Sequence, residues 1–310
     1  MLYDSLLDAI GNTPIVELTR LSPKPGVRLY AKLEGQNPTG SVKDRIAKYM
    51  IEAAERSGEL TPDRTVLEPT SGNTGISLAL VCRIKGYKLK VVMPESVSEE
   101  RAQLLRAFGA EIVYSDGLKG TNGSIVVAQE IAAEDPNYFM PYQYGNEANP
   151  RAHYETTGPE ILRDVPDIGV FVAGLGTGGT LTGTGRYLKE KKPGVKVVAC
   201  VPHPGDLVQG LRSLDEGFIP PVLDESVLDG KIVVDSRASF AAAKELTQAE
   251  GIFAGISAGA ALKTAQRVAD RLDSGNIVIL LADGGWKYLS TSLWSKEYED
   301  IEDVEGKVWW

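Results

Sequence analysis

Hydrophobic and polar positions follow two patterns that alternate along most of the chain. Short apolar runs rich in β-branched residues are followed by longer stretches in which apolar residues recur every three or four positions. The short runs predict buried strands at Arg28–Lys32, Thr65–Glu68, Leu89–Met93, Glu111–Tyr114, Val170–Ala173, Val195–Val201, Lys231–Val234 and Asn276–Leu281. The longer stretches predict helices at Ser41–Arg56, Gly75–Lys85, Glu99–Phe108, Ser124–Glu134, Thr180–Lys191, Ser236–Glu250 and Ala258–Arg271.

Strand–helix alternation of this kind is typical of parallel sheets with helices on both faces. The alternation occurs twice, and a loop-rich stretch, Pro136–Pro150, separates the halves. We therefore predict an α/β protein of two three-layer αβα domains with mainly parallel sheets. A site is expected in the crevice between them, where strand carboxyl ends and helix N-termini converge.

Composition and charge narrow the class of protein. The 310 residues are 43% apolar and 24% charged, which is ordinary for a globular protein with a large core. The net charge is −9 and no basic tract is present, which argues against nucleic acid or an anionic membrane surface as the main partner. No apolar run approaches the roughly 20 residues of a spanning helix, and the N-terminus does not resemble a signal peptide. A cytoplasmic location is expected.

Metal and thiol chemistry is not indicated. Cys82 and Cys200 each lie within an apolar run, as small buried side chains do. His153 and His203 are the only histidines, and neither cysteine has the spacing of a metal ligand. No metal site is expected.

One lysine has an informative position. In the segment Asn37 to Arg45, Lys43 follows a Pro/Gly turn and stands where a helix begins. A helix N-terminus carries partial positive charge, so it disfavours a cation and favours the neutral amine. A neutral amine attacks carbonyl carbon and forms a Schiff base.

A glycine-rich turn, Gly174-Leu175-Gly176-Thr177-Gly178-Gly179-Thr180, follows a predicted strand and opens a helix. Its backbone N–H groups and two threonine hydroxyls are suited to an anion. The spacing also matches a dinucleotide-binding turn, which needs a carboxylate about 20 residues further on to hold a ribose. The next strand ends without one before Asp206, so a single phosphate is the better ligand.

Two further turns precede helices. Thr70-Ser71-Gly72-Asn73-Thr74-Gly75 offers hydroxyls, an amide and a helix N-terminus, which suit a carboxylate and a ring hydroxyl. Ser257, in Gly255-Ile256-Ser257-Ala258-Gly259, is explained equally well by helix capping and by ligand contact. A reactive lysine, a phosphate turn, an amide loop and this serine are together the parts of a pyridoxal 5′-phosphate (PLP) site.

Over nearly its whole length the chain resembles the cysteine synthase branch of the fold type II PLP enzymes. The resemblance is carried by Gly11-Asn12-Thr13-Pro14, Asn37 through Arg45, Thr70 through Gly75, Met93-Pro94-Glu95, Thr156-Thr157-Gly158-Pro159-Glu160, Gly176 through Thr180, and Gly255 through Gly259. It implies a smaller mobile domain of residues 1–12 and 36–147, and a larger phosphate-binding domain of residues 13–35 and 148–310. It also implies a homodimer.

The resemblance assigns roles to the candidate residues. Lys43 would be the Schiff-base lysine, Asn73 would contact the ring oxygen of PLP, and Ser257 would face the pyridine nitrogen. The cofactor phosphate would be held by Gly176, Thr177, Gly178, Gly179 and Thr180. The substrate carboxylate would be held by Thr70, Ser71, Thr74 and Gln143. A neutral partner at the ring nitrogen favours elimination at Cβ, so the implied reaction is a β-replacement through an aminoacrylate, with Lys43 moving the α-proton.

One departure from the family pattern concerns the leaving group. Relatives that use O-acetylserine carry a short Gly-Ile-Gly-Ala-Gly-Phe-like segment where this chain has Gly210 to Phe218, with Arg212 inside it. A guanidinium binds a phosphate dianion bidentately but gains little from an acetyl ester. The loop resembles the actinobacterial branch that uses O-phospho-L-serine and a thiocarboxylated sulfur carrier protein. The alternative is that Arg212 only pairs with Asp215 or Glu216 at the surface.

Other interpretations stay open at this point. The chain could be an O-acetylserine sulfhydrylase using free sulfide, a cystathionine- or threonine-forming relative, or a non-catalytic protein that keeps the PLP fold for binding. The terminal Trp309-Trp310 could fold over the cleft and resemble the end of a carrier protein, or it could be a frayed end.

Overall fold

The computed structural model describes residues 2–70, 72–97, 99–206, 208–291 and Trp294. Its strands are β1 (Ile15–Glu17), β2 (Val27–Leu33), β3 (Thr65–Pro69), β4 (Lys88–Pro94), β5 (Glu111–Ser115), β6 (Tyr138–Phe139), β7 (Ile168–Gly174), β8 (Lys196–Pro202), β9 (Gly230–Val234) and β10 (Gly275–Leu281). Its helices are α1 (Lys43–Ser57), α2 (Asn73–Lys85), α3 (Glu99–Ala107), α4 (Gly120–Glu134), α5 (Ala148–Ala152), α6 (Gly158–Asp164), α7 (Gly179–Lys191), α8 (Ser236–Glu250) and α9 (Ile256–Ala269).

The strands form two sheets. The larger has six strands in the order β1-β2-β10-β7-β8-β9, and the smaller has four in the order β5-β4-β3-β6. All neighbouring strands run parallel except β1, which pairs antiparallel with β2. The predicted class, two αβα units with mainly parallel sheets, is therefore confirmed. The sequence-based boundaries of the two domains stay a prediction.

Both faces of the larger sheet are covered. Along β10, Ile277 and Ile279 pack in a core cluster with α8 and α9, while Val278 and Leu280 pack in a second cluster with α7. A strand buried on both faces needs apolar residues at every buried position, which is why residues 277–281 of β10 are a continuous apolar run.

The strands and helices that the sequence did not predict are all short. β1 and β6 have three and two residues, too few to establish an alternating pattern. α5 and α6 were also missed, because α5 has five residues including Pro150 and α6 begins at Gly158-Pro159. A π turn, His153–Thr157, joins these two helices, and it lies behind the glycine-rich turn described below.

The start of α1 is tied to the end of β10. The Val42 N–H donates to the Ala282 carbonyl oxygen at 2.8 Å, and Ser41 forms an isolated antiparallel bridge with Asp283. These contacts join a helix packed on the smaller sheet to the centre of the larger one. Within the part of the chain that the structure describes, no helix is both long and apolar enough to span a bilayer.

Candidate active site

A cavity of about 110 Å³ lies where the carboxyl ends of the two sheets face each other. It is lined by eight of the predicted site residues, namely Lys43, Thr70, Asn73, Thr74, Gln143, Gly176, Thr177 and Arg212. Elements from both sheets therefore meet at one place, as expected for the crevice of a two-sheet α/β protein. Ser71 and the Trp309-Trp310 terminus lie outside the described residues.

Lys43 is the first residue of α1 and is partly buried at the cavity wall. Burial lowers the pKa of its ammonium, and the charge of Asp283 offsets only part of this effect. The direction agrees with the neutral amine predicted from the helix start. Its cause in the structure is the loss of water on burial.

The glycine-rich turn between β7 and α7 has little room for side chains. Gly178 has a φ of +86°, which L-residues rarely adopt. A Cβ atom built on Gly176 would lie 2.6 Å from the Gly210 carbonyl oxygen, and one on Gly179 would lie 1.9 Å from the Asn149 Oδ1. The backbone can therefore approach a ligand closely at the start of a 13-residue helix.

Two buried polar side chains orient the threonines of this turn. Asn149 Nδ2 donates to Thr177 Oγ1 at 3.1 Å, and His153 Nε2 lies 3.2 Å from Thr180 Oγ1. Burial lowers the pKa of His153 to about 3, and the charge of Arg45 adds to this effect, so the ring is neutral at physiological pH. Gly178, Gly179 and Thr180 do not line the cavity themselves, and they lie directly behind Gly176 and Thr177.

These features fit the phosphate of PLP. Glycines without room for a Cβ, a helix N-terminus and fixed threonine hydroxyls supply donors for an anion. Lys43, in the same cavity, supplies the amine that a PLP aldehyde requires.

The amide of Asn73 is held from both sides by residues that the sequence did not single out. Its Nδ2 donates to Asp283 Oδ2 at 2.7 Å, and its Oδ1 accepts from Lys287 Nζ at 2.7 Å. Tyr288 donates its hydroxyl to the same carboxylate oxygen at 2.5 Å. Only the spacing of Asp283 after a predicted strand could have pointed to this group.

A buried carboxylate supports Gln143. Glu68, at the end of β3, accepts from the backbone N–H groups of Tyr142 at 2.8 Å and Gln143 at 3.1 Å. Thr74 Oγ1 then donates to Gln143 Oε1 at 2.7 Å. Burial raises the pKa of Glu68 to about 7, although the two N–H groups favour its charged form. Sequence reasoning treated Glu68 as part of a strand and missed it.

Arg212 lies in the cavity wall. It is 8% exposed, and its Cζ lies 4.8 Å from the ring centroid of Phe218 and 5.5 Å from that of Tyr144. Among the residues that the structure describes, Arg212 forms no ion pair, so pairing with Asp215 is not observed. A second arginine, Arg101 of α3, also lines the cavity and was missed.

Ser257 is the second residue of α9 and is buried. It does not line the cavity, and a Cβ built on Gly210 would lie 4.0 Å from its hydroxyl oxygen. Ser257 therefore lies close to Gly210, which does line the cavity.

Behind Lys43, four buried charged side chains form one network. Arg45 donates through Nε and Nη2 to Glu34 at 2.7 and 2.8 Å, and through Nη1 and Nη2 to Glu160 at 2.7 and 2.8 Å. Lys32 Nζ lies 2.6 Å from Glu160 Oε2. The network has no net charge and joins α1 to β2 and α6, so it fixes the helix on which Lys43 lies.

Comparisons with known proteins agree with this geometry. A family model described as pyridoxal-phosphate dependent enzyme matches residues 6–283. A cysteine synthase from Staphylococcus aureus (strain Mu50 / ATCC 700699) is 44% identical over 302 residues, which are 94% of this chain and 97% of that protein.

Two crystal structures show the same fold. A cysteine synthase (OASS) from Entamoeba histolytica has a TM-score of 0.91 at 34% identity, covering 96% of this chain and 92% of its own. An O-ureido-L-serine synthase has a TM-score of 0.90 at 41% identity, covering 98% of this chain and 99% of its own. The predicted cofactor is thereby confirmed. This chain belongs to the family of pyridoxal-phosphate-dependent enzymes, and within that family it is similar to the cysteine synthases.

Proposed function

We propose that this enzyme makes L-cysteine by replacing the phosphate of O-phospho-L-serine with sulfur, using PLP bound at Lys43. The observation that carries the proposal is Arg212, which is 8% exposed and lines the same cavity as Lys43. A guanidinium in this position is suited to a phosphate leaving group, because it binds a dianion with two parallel hydrogen bonds.

The charge of the cavity supports an anionic substrate. The protein as a whole has a net charge of −9. Among the described residues that line the cavity, Lys43, Arg101 and Arg212 are basic and none is acidic. A cleft lined by one sign of charge raises the local concentration of ligands of the opposite sign.

The reactive roles are proposed for two side chains that line the cavity, Lys43 and Arg212. PLP supplies an electron sink for the bond that breaks at the α-carbon of the substrate. Lys43 would take the α-proton as a neutral amine and return it to the product, and its lowered pKa supports this role. Arg212 would bind the departing phosphate.

The other candidates would hold cofactor and substrate in place. The cofactor phosphate is assigned to the turn Gly176 to Thr180, the ring oxygen to Asn73 and the ring nitrogen to Ser257. The substrate carboxylate is assigned to Thr70, Ser71, Thr74 and Gln143. Of the described members of that last set, all three line the cavity, and Thr74 is hydrogen-bonded to Gln143.

The test compares kcat/KM for O-phospho-L-serine and O-acetyl-L-serine in wild type and Arg212→Met. Loss of a charge-assisted contact of about 2–3 kcal/mol should lower the phosphoserine value about 30- to 140-fold. The acetylserine value should change little. Arg186→Met is the matched control, since Arg186 pairs with Asp224 at the surface. An unchanged phosphoserine value in Arg212→Met would contradict the proposal.

A second candidate is cysteine synthesis from O-acetylserine and free sulfide. It is favoured by the Entamoeba histolytica relative, whose name includes OASS. The wild-type protein separates the two, because this candidate requires a higher kcat/KM for acetylserine than for phosphoserine.

For the sulfur donor, we propose a carrier protein with a C-terminal thiocarboxylate. The test measures cysteine formation with equal concentrations of such a carrier and of sulfide. Faster product formation with sulfide would contradict this part of the proposal. A cytoplasmic homodimer is the proposed state of the enzyme, and analytical ultracentrifugation tests its oligomeric part.

A further inference from the structure

The amide of Asn73 lies between two side chains of opposite charge. Asp283 lies two residues after the end of β10 and is 2% exposed, and Lys287 lies four residues further on and is also 2% exposed. The carboxylate accepts from Asn73 Nδ2, and the ammonium donates to Asn73 Oδ1, both at 2.7 Å. A surface amide would have water as its partner at both positions.

These two partners allow only one orientation of the amide. An ammonium group is a donor without acceptor capacity, and an ionised carboxylate is an acceptor only. Rotating the amide by half a turn would place NH₂ against the ammonium and C=O against the carboxylate. Two charge-assisted hydrogen bonds would then become two repulsive contacts. The orientation is therefore decided by chemistry, whereas an isolated asparagine can adopt both.

The two charged partners are themselves held in place. Tyr288, which is 2% exposed, donates to Asp283 Oδ2, and the Asp283 backbone oxygen accepts from the Gly255 N–H at 3.1 Å. A Cβ atom on Gly255 would lie 2.2 Å from Asp283 Oδ1, so the backbone at position 255 closes off the other side of the carboxylate. The Lys287 ammonium lies 5.2 Å from the ring centroid of Trp286.

We propose that Asp283 and Lys287 are positioning residues that fix the Asn73 amide with its N–H edge toward the cofactor. This inference rests on the proposed contact between Asn73 and the ring oxygen of PLP. The Nδ2 edge donates to Asp283 and also contacts the Tyr288 hydroxyl, and we assign its second hydrogen to that oxygen of the bound cofactor. A donor stabilises the deprotonated form of a ring oxygen, whereas a carbonyl acceptor in the same place would stabilise the protonated form.

The surrounding charges act on the Lys287 ammonium in both directions. Burial lowers the pKa of Lys287 to about 8, while Asp283 and Asp44 raise it and Arg101 and Lys43 lower it. Lys287 therefore keeps its proton at neutral pH.

The experiment uses the visible absorption of the cofactor in the purified holoenzyme. PLP bound to a lysine absorbs at longer wavelength when its ring oxygen is deprotonated than when it is protonated. We expect wild type to show mainly the long-wavelength band at neutral pH. Lys287→Met should shift the ratio of the two bands about ten-fold toward the short-wavelength form, the equivalent of one charge-assisted hydrogen bond of about 1.4 kcal/mol.

Three further variants complete the design. Asn73→Ala removes the donor and should give at least the same shift. Lys287→Arg keeps a buried cation that donates and should restore the wild-type ratio. Lys231→Met is the control, since Lys231 pairs with Glu225 at the surface. Cofactor content is measured after alkaline release, so that loss of PLP is not mistaken for a spectral shift.

The outcomes distinguish the positioning role of Asp283 and Lys287 from the proposed contact between Asn73 and the PLP ring oxygen. A wild-type band ratio in Lys287→Met, with a shift in Asn73→Ala, overturns the positioning role and leaves the Asn73 contact standing. A wild-type ratio in both variants overturns the Asn73 contact. Should Lys287→Met fail to fold, Lys287→Gln gives the same comparison, because a neutral amide no longer imposes one orientation on Asn73. A wild-type ratio in Lys287→Gln overturns the inference.

Discussion

Replacing Arg45 by methionine should strongly destabilise the protein, although Arg45 does not line the cavity. Arg45 is 1% exposed and makes two-pronged contacts with both Glu34, which is 0% exposed, and Glu160, which is 5% exposed. Without it, two buried carboxylates share a single cation, Lys32. Removing one partner of a buried ion pair costs about 3–5 kcal/mol, which corresponds to a factor of about 10² to 10³·⁵ in the unfolding equilibrium.

The pH dependence of the free energy of unfolding gives a second magnitude, the contribution of Glu34 to stability. Burial raises the pKa of Glu34, but the charge and hydrogen bonds of Arg45 outweigh this and lower it to about 2, from an ordinary 4.5. The difference of 4.5 − 2 = 2.5 corresponds to about 3 kcal/mol of stability. Because the folded-state pKa is lowered, this contribution is present above pH 4.5 and is lost as the pH falls toward 2. In Arg45→Met, the burial that raises the pKa of Glu34 is opposed only by the charge of Lys32 and the hydrogen bond of Thr13, so the deficit relative to wild type should shrink as the pH falls from 7 toward 4.5.

The assay is urea unfolding of the cofactor-loaded protein, followed by circular dichroism at pH 7 and pH 5. Arg28→Met is the matched control, because Arg28 also makes a two-pronged contact with a glutamate, Glu17, but the two side chains are 57% and 32% exposed. We expect the midpoint to fall far more for Arg45→Met than for Arg28→Met. Equal urea midpoints for Arg45→Met and Arg28→Met would refute the idea that the buried network stabilises the protein more than a surface ion pair does.

Two more predictions concern binding. Glu68 should become protonated below its pKa of about 7 and should then hold the Gln143 N–H less well. KM for the amino-acid substrate should therefore rise as the pH falls through 7, and Glu68→Gln should make KM depend less on pH. The same pH dependence of KM in wild type and variant would exclude Glu68 as its origin. Gly179→Ala should weaken PLP binding more than ten-fold in fluorescence titration of the apoprotein, because its Cβ would meet Asn149 Oδ1 at 1.9 Å. Gly194→Ala, whose Cβ meets nothing within 4 Å, is the control, and equal Kd values would contradict a phosphate role for the turn.

The sequence predicted those parts of the fold and the site that depend on local pattern. Long apolar runs such as that of β10 are visible because a strand buried on both faces needs apolar residues throughout. The glycine-rich turn could be recognised because its several glycines lie close together in the sequence, where the backbone leaves no room for side chains. Lys43 could be singled out because a turn and a helix start lie side by side along the chain.

The rest depends on contacts between distant positions. Asp283 reaches Asn73 across 210 positions, and Glu160 reaches Arg45 across 115. Nothing in the local pattern around Asp283 or Glu160 indicates a partner, because the contacts form only when the fold brings the end of β10 to the start of α2 and brings α6 beside α1. Glu68 was missed for a similar reason, because an acid at a strand end has no visible partner until the Gln143 segment folds over it.

We expect Lys43 to carry the cofactor, and Lys287 is a clear competitor among the described residues near the cavity. Lys287 is buried, has a lowered pKa, and donates a hydrogen bond to Asn73, which lines the same cavity as Lys43. Borohydride reduction of the purified enzyme fixes PLP on the lysine that holds it, and peptide mapping by mass spectrometry then identifies that lysine. We expect the phosphopyridoxyl group on Lys43, with none in Lys43→Ala. Finding it on Lys287, or on no lysine, would contradict the role of Lys43 as the Schiff-base residue.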